Sequence, residues 1–238
     1  MFWRKQKAAI AEFPGLHQAL IHERAFAATQ PAAVWLALTA SLGRHGEAVR
    51  RAKWALPPRT LDVLVPLIVE ICSDLGPKGM LSVVADLRGV RAPGKSHPPR
   101  HLPVRPPVKS VAETWSVDPW LRLRADLRDG STLEILVVDR ERHRRITKRN
   151  FRNKTKTKSK FKNLQMIRVR RKLAPAVRGM RPSTPPPRWM AVTIRDGERR
   201  SILASAKFDR LPQNGPEQLD RILTVATEPF RWTLRGLS

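Results

Sequence analysis

Apolar positions in the first third of the chain recur at the three-to-four-residue spacing of a helix face. Leu16, Leu20 and Ile21 lead into an Ala-rich tail ending at Ala28, and Pro31 opens the run AAVWLALTASLG, which Gly43 closes. Helical patterns continue over Glu47 to Leu56 and Thr60 to Leu75, with Gly76 and Pro77 as stops. Four short helices in this span predict a helical N-terminal domain over residues 1–90. The stretch ALTASLGRHGEAVRRAKWAL within it has the outline of a helix-turn-helix, but no clear recognition-helix pattern.

A proline-rich segment, RAPGKSHPPRHLPVRPPV, follows, and its prolines disfavour both helix interior and central strand, so residues 91–111 read as a linker. Beyond it the period falls to two. Leu121, Leu123, Ala125 and Leu127 share one face of a strand, and Arg122, Arg124, Asp126 and Arg128 share the other. Asp129-Gly130 is a favoured hairpin turn, from which STLEILVVD returns; Asp196-Gly197 plays the same part between Met190 to Ile194 and Ser201 to Ala206. A proline-rich connector at 181–188 precedes the second hairpin, and a last helix is expected at Glu217 to Ala226. The fold class expected is therefore α+β: a helical N-terminal domain, then an antiparallel β domain over residues 112–238 that carries a long basic β-hairpin arm at 140–172.

Charge makes that arm the most distinctive feature of the chain. The 238 residues hold 46 Lys and Arg against 20 Asp and Glu, a net charge of +26, which implies a polyanionic partner. Between Arg140 and Lys172 there are 16 bases and one acid, so more than half of the excess lies in one seventh of the chain. Its centre reads KTKTKSKFK. As a strand this places Lys154, Lys156, Lys158, Lys160 and Lys162 on one face, about 7 Å apart, with Thr155, Thr157, Ser159 and Phe161 on the other.

Arg168, Arg170 and Lys172 resume the cationic face, and Arg140, Arg142 and Arg144 share a face on the preceding strand. A row of ammonium groups so aligned is matched by the phosphates of a nucleic-acid strand, DNA or RNA. The expected contact residues also include Arg145, Lys148, Arg149 and Arg152, with Phe151 and Phe161 as candidates for base stacking. The competing reading of so polar a run is a disordered basic tail.

Catalytic and metal-binding chemistry finds little support. His97 and His101 are separated by Pro98 and Pro99, which forbid a helix that would join them on one metal. Asp118, Asp126, Asp129, Glu134 and Asp139 are the carboxylates available to a metal-dependent nuclease, without a lysine at suitable spacing after Glu134. The single cysteine, Cys72, sits in an apolar run and excludes an intrachain disulfide. No cofactor, catalytic residue or metal is expected. Neither a secretory signal nor a membrane span is legible, which predicts a cytoplasmic, nucleoprotein-associated protein or one carried inside a phage or virus particle. The leading expectation is a non-enzymatic nucleic-acid-binding subunit of a nucleoprotein assembly, with protein partners engaged by the helical part. A nuclease or recombinase of a mobile element, and a capsid or scaffold protein, are the alternatives.

Overall fold

The computed structural model describes residues 2–152 and 154–233. It is a mixed α+β architecture with six α-helices and one eight-stranded antiparallel sheet among those residues. The strands are β1 (Ala25–Pro31), β2 (Met80–Asp86), β3 (Arg100–Leu102), β4 (Val108–Asp126), β5 (Thr132–Arg149), β6 (Thr155–Lys172), β7 (Met190–Arg195) and β8 (Ser201–Phe208). Their order across the sheet is β1-β2-β4-β5-β6-β8-β7, with β3 on the outer flank of β4. The helices are α1 (Phe2–Ala11), α2 (Gly15–His22), α3 (Ala32–Gly43), α4 (His45–Ala48), α5 (Val65–Ser73) and α6 (Gly215–Arg231).

One face of the sheet is covered by helices, and no described helix covers the other, the bare face. Leu121 and Leu123 of β4, Ile135 and Val137 of β5, and Ile167 and Val169 of β6 are essentially excluded from solvent, in one cluster with Leu20, Trp35, Leu67 and Ile68 of the N-terminal helices and Ile222 and Val225 of α6. That cluster draws on both sides of the boundary expected near residue 90. Trp35 fastens α3 to the sheet by donating its indole N–H to the Leu81 carbonyl at 2.8 Å. The start of α6 lies so close to Asp62 that a Cβ at Gly215 would stand 2.1 Å from the Asp62 Cβ, which only glycine permits.

Several expectations are corrected. The Ala-rich tail is not helical: α2 ends at His22, Arg24 turns the backbone at φ 56°, and residues 25–31 form an edge strand paired with β2. Tertiary pairing overrides a helix propensity here, and β2 also lies within the span expected to be helical. Glu47 to Leu56 is not a helix either, since α4 ends at Ala48 and a single 3-10 turn follows at Ala52–Trp54, so the four-residue α4 is too short to be the second helix of a helix-turn-helix. Thr60 to Leu75 divides into a π-helical turn, Thr60–Leu64, and α5, because Pro66 has no N–H to donate across the junction.

The proline-rich segment is no free spacer. β3 pairs with β4, His97 N donates to the Trp115 carbonyl at 2.8 Å, and Val117 N donates to that of Lys95 at 2.9 Å. β4 starts within that segment, at Val108, and accompanies β5 as far as Lys148. The outer part of β5 is therefore flanked on both sides, by β4 and by β6. The alternation that revealed the inner part of β4 fails at Pro119 and Trp120, where a register shift between Asp118 and Leu121 exchanges the faces and hides the outer half.

Candidate nucleic-acid interface

The register of β5 and β6 decides which side chains share a face. Arg142 lies opposite Lys162, Arg144 opposite Lys160, Ile146 opposite Lys158 and Lys148 opposite Lys156. All are on the bare face, because the parity that buries Ile167 and Val169 turns Arg168 and Arg170 outward with the lysines. Lys172 has the same parity and pairs with Thr132, while Arg140 is opposite Leu164 and half-buried, its Nε lacking a partner. Lys154 precedes β6 in the turn, where its N donates to the Asn150 Oδ1 at 2.8 Å.

Other expected contact residues lie off this file. Arg145 and Arg149 lie on the opposite face, opposite Ser159 and Thr155, and Arg152 is in the turn with its guanidinium 5.3 Å from the ring centroid of Phe151. Phe151 is 92% exposed at the very tip. Phe161 is on the helix side, stacked on His143 with centroids 4.5 Å apart, and the Arg91 guanidinium lies 5.5 Å from its ring. Arg91 is fixed there by a two-pronged contact with Glu141, at 2.9 and 3.0 Å.

Like charges directly opposed across an antiparallel pair are destabilising. Arg142 with Lys162 and Arg144 with Lys160 are adjacent pairs of this kind, Lys148 with Lys156 is a third beyond Ile146 and Lys158, and Glu113 of β4 reaches the two arginines of the first two. It accepts from Arg144, stands 3.8 Å from the Arg142 Nε, and accepts the Trp115 indole N–H at 2.9 Å. Those donors hold the Glu113 carboxyl below the usual carboxylate range, the Arg144 hydrogen bond first. Lys162 has a distant partner in Asp209 at 3.5 Å, and Lys148, Lys156, Lys158 and Lys160 have none among the described residues.

At its inner end the bare face forms a concavity of about 450 Å³ whose lining includes Arg122, Arg124, Arg168 and Arg170 around Glu134 and Leu136. Arg122 and Arg124 were not among the expected contacts. The same arginine-leucine alternation that predicted their strand carries the signal: both point away from the buried leucines, toward the face that holds Arg168 and Arg170.

The carboxylates offered for metal chemistry do not converge on one site: Asp118 and Asp139 are cross-strand neighbours, but each is engaged by its own cation. Asp118 is held by Lys95 at 2.6 Å, Asp139 by Arg59 at 2.6 Å and Gln165 at 3.0 Å, and Asp129 by Ser131 and Arg171, while Asp126 and Glu134 stand apart. No cluster of three or more His, Cys, Asp or Glu placed to hold a metal occurs among the described residues. Cys72 is buried, which pushes its thiol pKa up. None of the described helices is long and apolar enough to cross a membrane. Comparison of the chain with protein-family models, with curated proteins and with solved structures gives no match.

Proposed function

We propose that this is a non-enzymatic nucleic-acid-binding protein that lays a basic β-ribbon along phosphates, as an accessory or structural subunit of a nucleoprotein assembly. The observation that carries this reading is the file of opposed like charges, Arg142 with Lys162, Arg144 with Lys160 and Lys148 with Lys156, on a face that no helix covers. Such an arrangement opposes folding of the free protein and is relieved by a polyanion, so binding releases repulsion as well as counterions. β4 supports the outer part of β5 along the flank away from β6, which favours an ordered ribbon over a loose tail. The unpaired outer edge of β6 adds a second benefit of its lysines, since they discourage edge-to-edge aggregation. Edge protection alone leaves the arginines of the inner concavity without a role.

Protein contacts belong, in this reading, to the helical layer, where Val34 and Leu36 of α3 and Val69 of α5 are exposed. The test of the main proposal is the salt dependence of binding to DNA and to RNA. The logarithm of affinity is expected to fall with the logarithm of salt at a slope of about −4 to −7, and Lys156→Gln, Lys158→Gln, Lys160→Gln and Lys162→Gln together reduce its magnitude by about three. A slope near −1 in the unaltered protein, or one unchanged by the four substitutions, would sink the ribbon as the binding site.

A further inference from the structure

Resting on the nucleic-acid reading above, we propose that the ligand is double-stranded, with the backbones of its two strands received on the two flanks of the Arg122, Arg124, Arg168 and Arg170 concavity. The sheet register divides those four arginines into two files. Arg122 and Arg168 flank Leu136 in one cross-strand row, and Arg124 and Arg170 flank Glu134 in the next. Since β5 runs between β4 and β6, the two files are two strand spacings apart, about 10 Å. That separation lies between the widths of the two grooves of a DNA duplex, about 6 and 12 Å, and long arginine side chains adjust it in either direction.

The midline between the files is unsuited to a phosphate. Glu134 carries a negative charge there and Leu136 is apolar, so a single backbone centred in the concavity meets repulsion from Glu134 and desolvation at Leu136. A single backbone displaced to one flank leaves the opposite pair of guanidinium groups unmatched. None of the four arginine side chains has an ion pair or hydrogen bond to another described residue, so both files are available.

Aromatic side chains point the same way. Sheet surfaces that hold single strands stack bases on exposed rings. Among the described strand residues, the one aromatic on the bare face is Trp115, whose indole N–H is committed to Glu113 and whose ring has the Arg142 guanidinium 5.8 Å from its centroid. Trp189, just ahead of β7 and beside Arg168, is exposed on one side, but its ring is packed against that of Phe208, with centroids 5.4 Å apart. The cationic positions from Lys156 to Arg170, interrupted at Leu164 and Met166, span about 45 Å, more than the roughly 34 Å of one duplex turn, and the right-handed twist of antiparallel strands lets them follow a right-handed groove.

The experiment is equilibrium binding of the full chain, read by fluorescence anisotropy at about 50 mM salt. The probes are a blunt duplex of about 24 base pairs, two helical turns, made as DNA and as RNA, and each of its unstructured single strands. The expected result is a duplex affinity at least about tenfold above that of the single strand, in one or both chemistries. Arg122→Gln with Arg124→Gln, both at exposed positions, lowers the duplex affinity roughly tenfold and its salt slope by about two, with little change for the single strand. Single strands bound as tightly as duplexes, or a duplex affinity and slope unmoved by the double substitution, overturn the double-stranded ligand while leaving polyanion binding intact. Absence of binding to every probe overturns the nucleic-acid reading itself. The DNA and RNA arms tell which duplex is preferred.

Discussion

Asp118 and Asp139 face each other across β4 and β5, two buried carboxylates each held by a separate cation, Lys95 for the first and Arg59 for the second. The Lys95 Nζ also reaches Asp86 at 2.9 Å, and the Arg59 guanidinium lies 4.6 Å from the Trp120 ring. This polar knot marks where the apolar core ends and the ribbon begins. Burial raises the Asp118 pKa, Lys95 opposes that rise, and the neighbouring Asp139 adds to it.

A structural role for the pair makes a definite prediction. Asp139→Ala leaves Arg59 and Gln165 without their acceptor and is expected to cost about 2–4 kcal/mol in urea unfolding. Nucleic-acid affinity under native conditions should change less than about twofold, because Asp139 is on the helix side of the sheet. Magnesium- or manganese-dependent cleavage by the unaltered protein, lost in Asp139→Ala, would instead establish the nuclease alternative.

What could be read from the sequence follows the strength of its local signals. The arginine-leucine alternation of β4, the Asp129-Gly130 turn and the limits of α3 at Pro31 and Gly43 each rest on chemistry within a few residues. Gly130 indeed has φ 75°, as a turn glycine must. β1 was illegible because AFAATQP is a strand only by virtue of its partner β2, with Thr29 bonded to Ser82 at 2.9 Å. The outer half of β4 was hidden by prolines and by the bulge at Pro119, since a one-residue shift reverses the apparent face. For the candidate site, the lysine file was visible as parity, but its pairing with Arg142, Arg144 and Lys148 required the register. The arginines of the concavity converge only once β4 and β6 are known to flank β5.

Acid sensitivity should originate in a buried pair of histidines. His17 has its Nδ1 2.9 Å from the Ser41 Oγ and its Nε2 3.0 Å from the His45 Nδ1, with Phe13 stacked on its ring at 4.0 Å. Burial first, then repulsion from a charged His45, lowers the His17 pKa from 6.5 to about 4. His45 moves in the same direction through burial, partly opposed by the nearby Trp54 backbone. The unfolded chain binds these protons more readily than the folded one. Stability from His17 is thus complete above about pH 6.5 and is lost as pH falls toward about 4, by up to about 3 kcal/mol.

Asp86, Glu113, Asp129 and Glu217, with lowered pKa values, lose their contributions at still lower pH, and Asp118, with a raised one, works in the opposite sense. Urea unfolding at pH 7.5 and 4.5 measures the effect. His17→Asn should flatten the difference, and an equally steep profile in that variant would exclude His17 as its source.

Geometry and charge are separated by a permutation of the ribbon. Thr155→Lys, Lys156→Thr, Thr157→Lys and Lys158→Thr together keep composition and net charge, yet transfer two ammonium groups to the helix-side face, placing one of them opposite Arg149. A disordered basic tail has no faces to exchange and binds a polyanion as well after the permutation as before. In the ordered ribbon, Lys148 and Lys160 remain on the bare face while their neighbours at 156 and 158 are gone, so two aligned phosphate contacts disappear. Affinity is then expected to fall, and the salt slope to shrink by roughly two. Equal affinities and slopes for the two proteins would reduce residues 154–162 to an electrostatic tether and refute a row of lysines aimed by the strand.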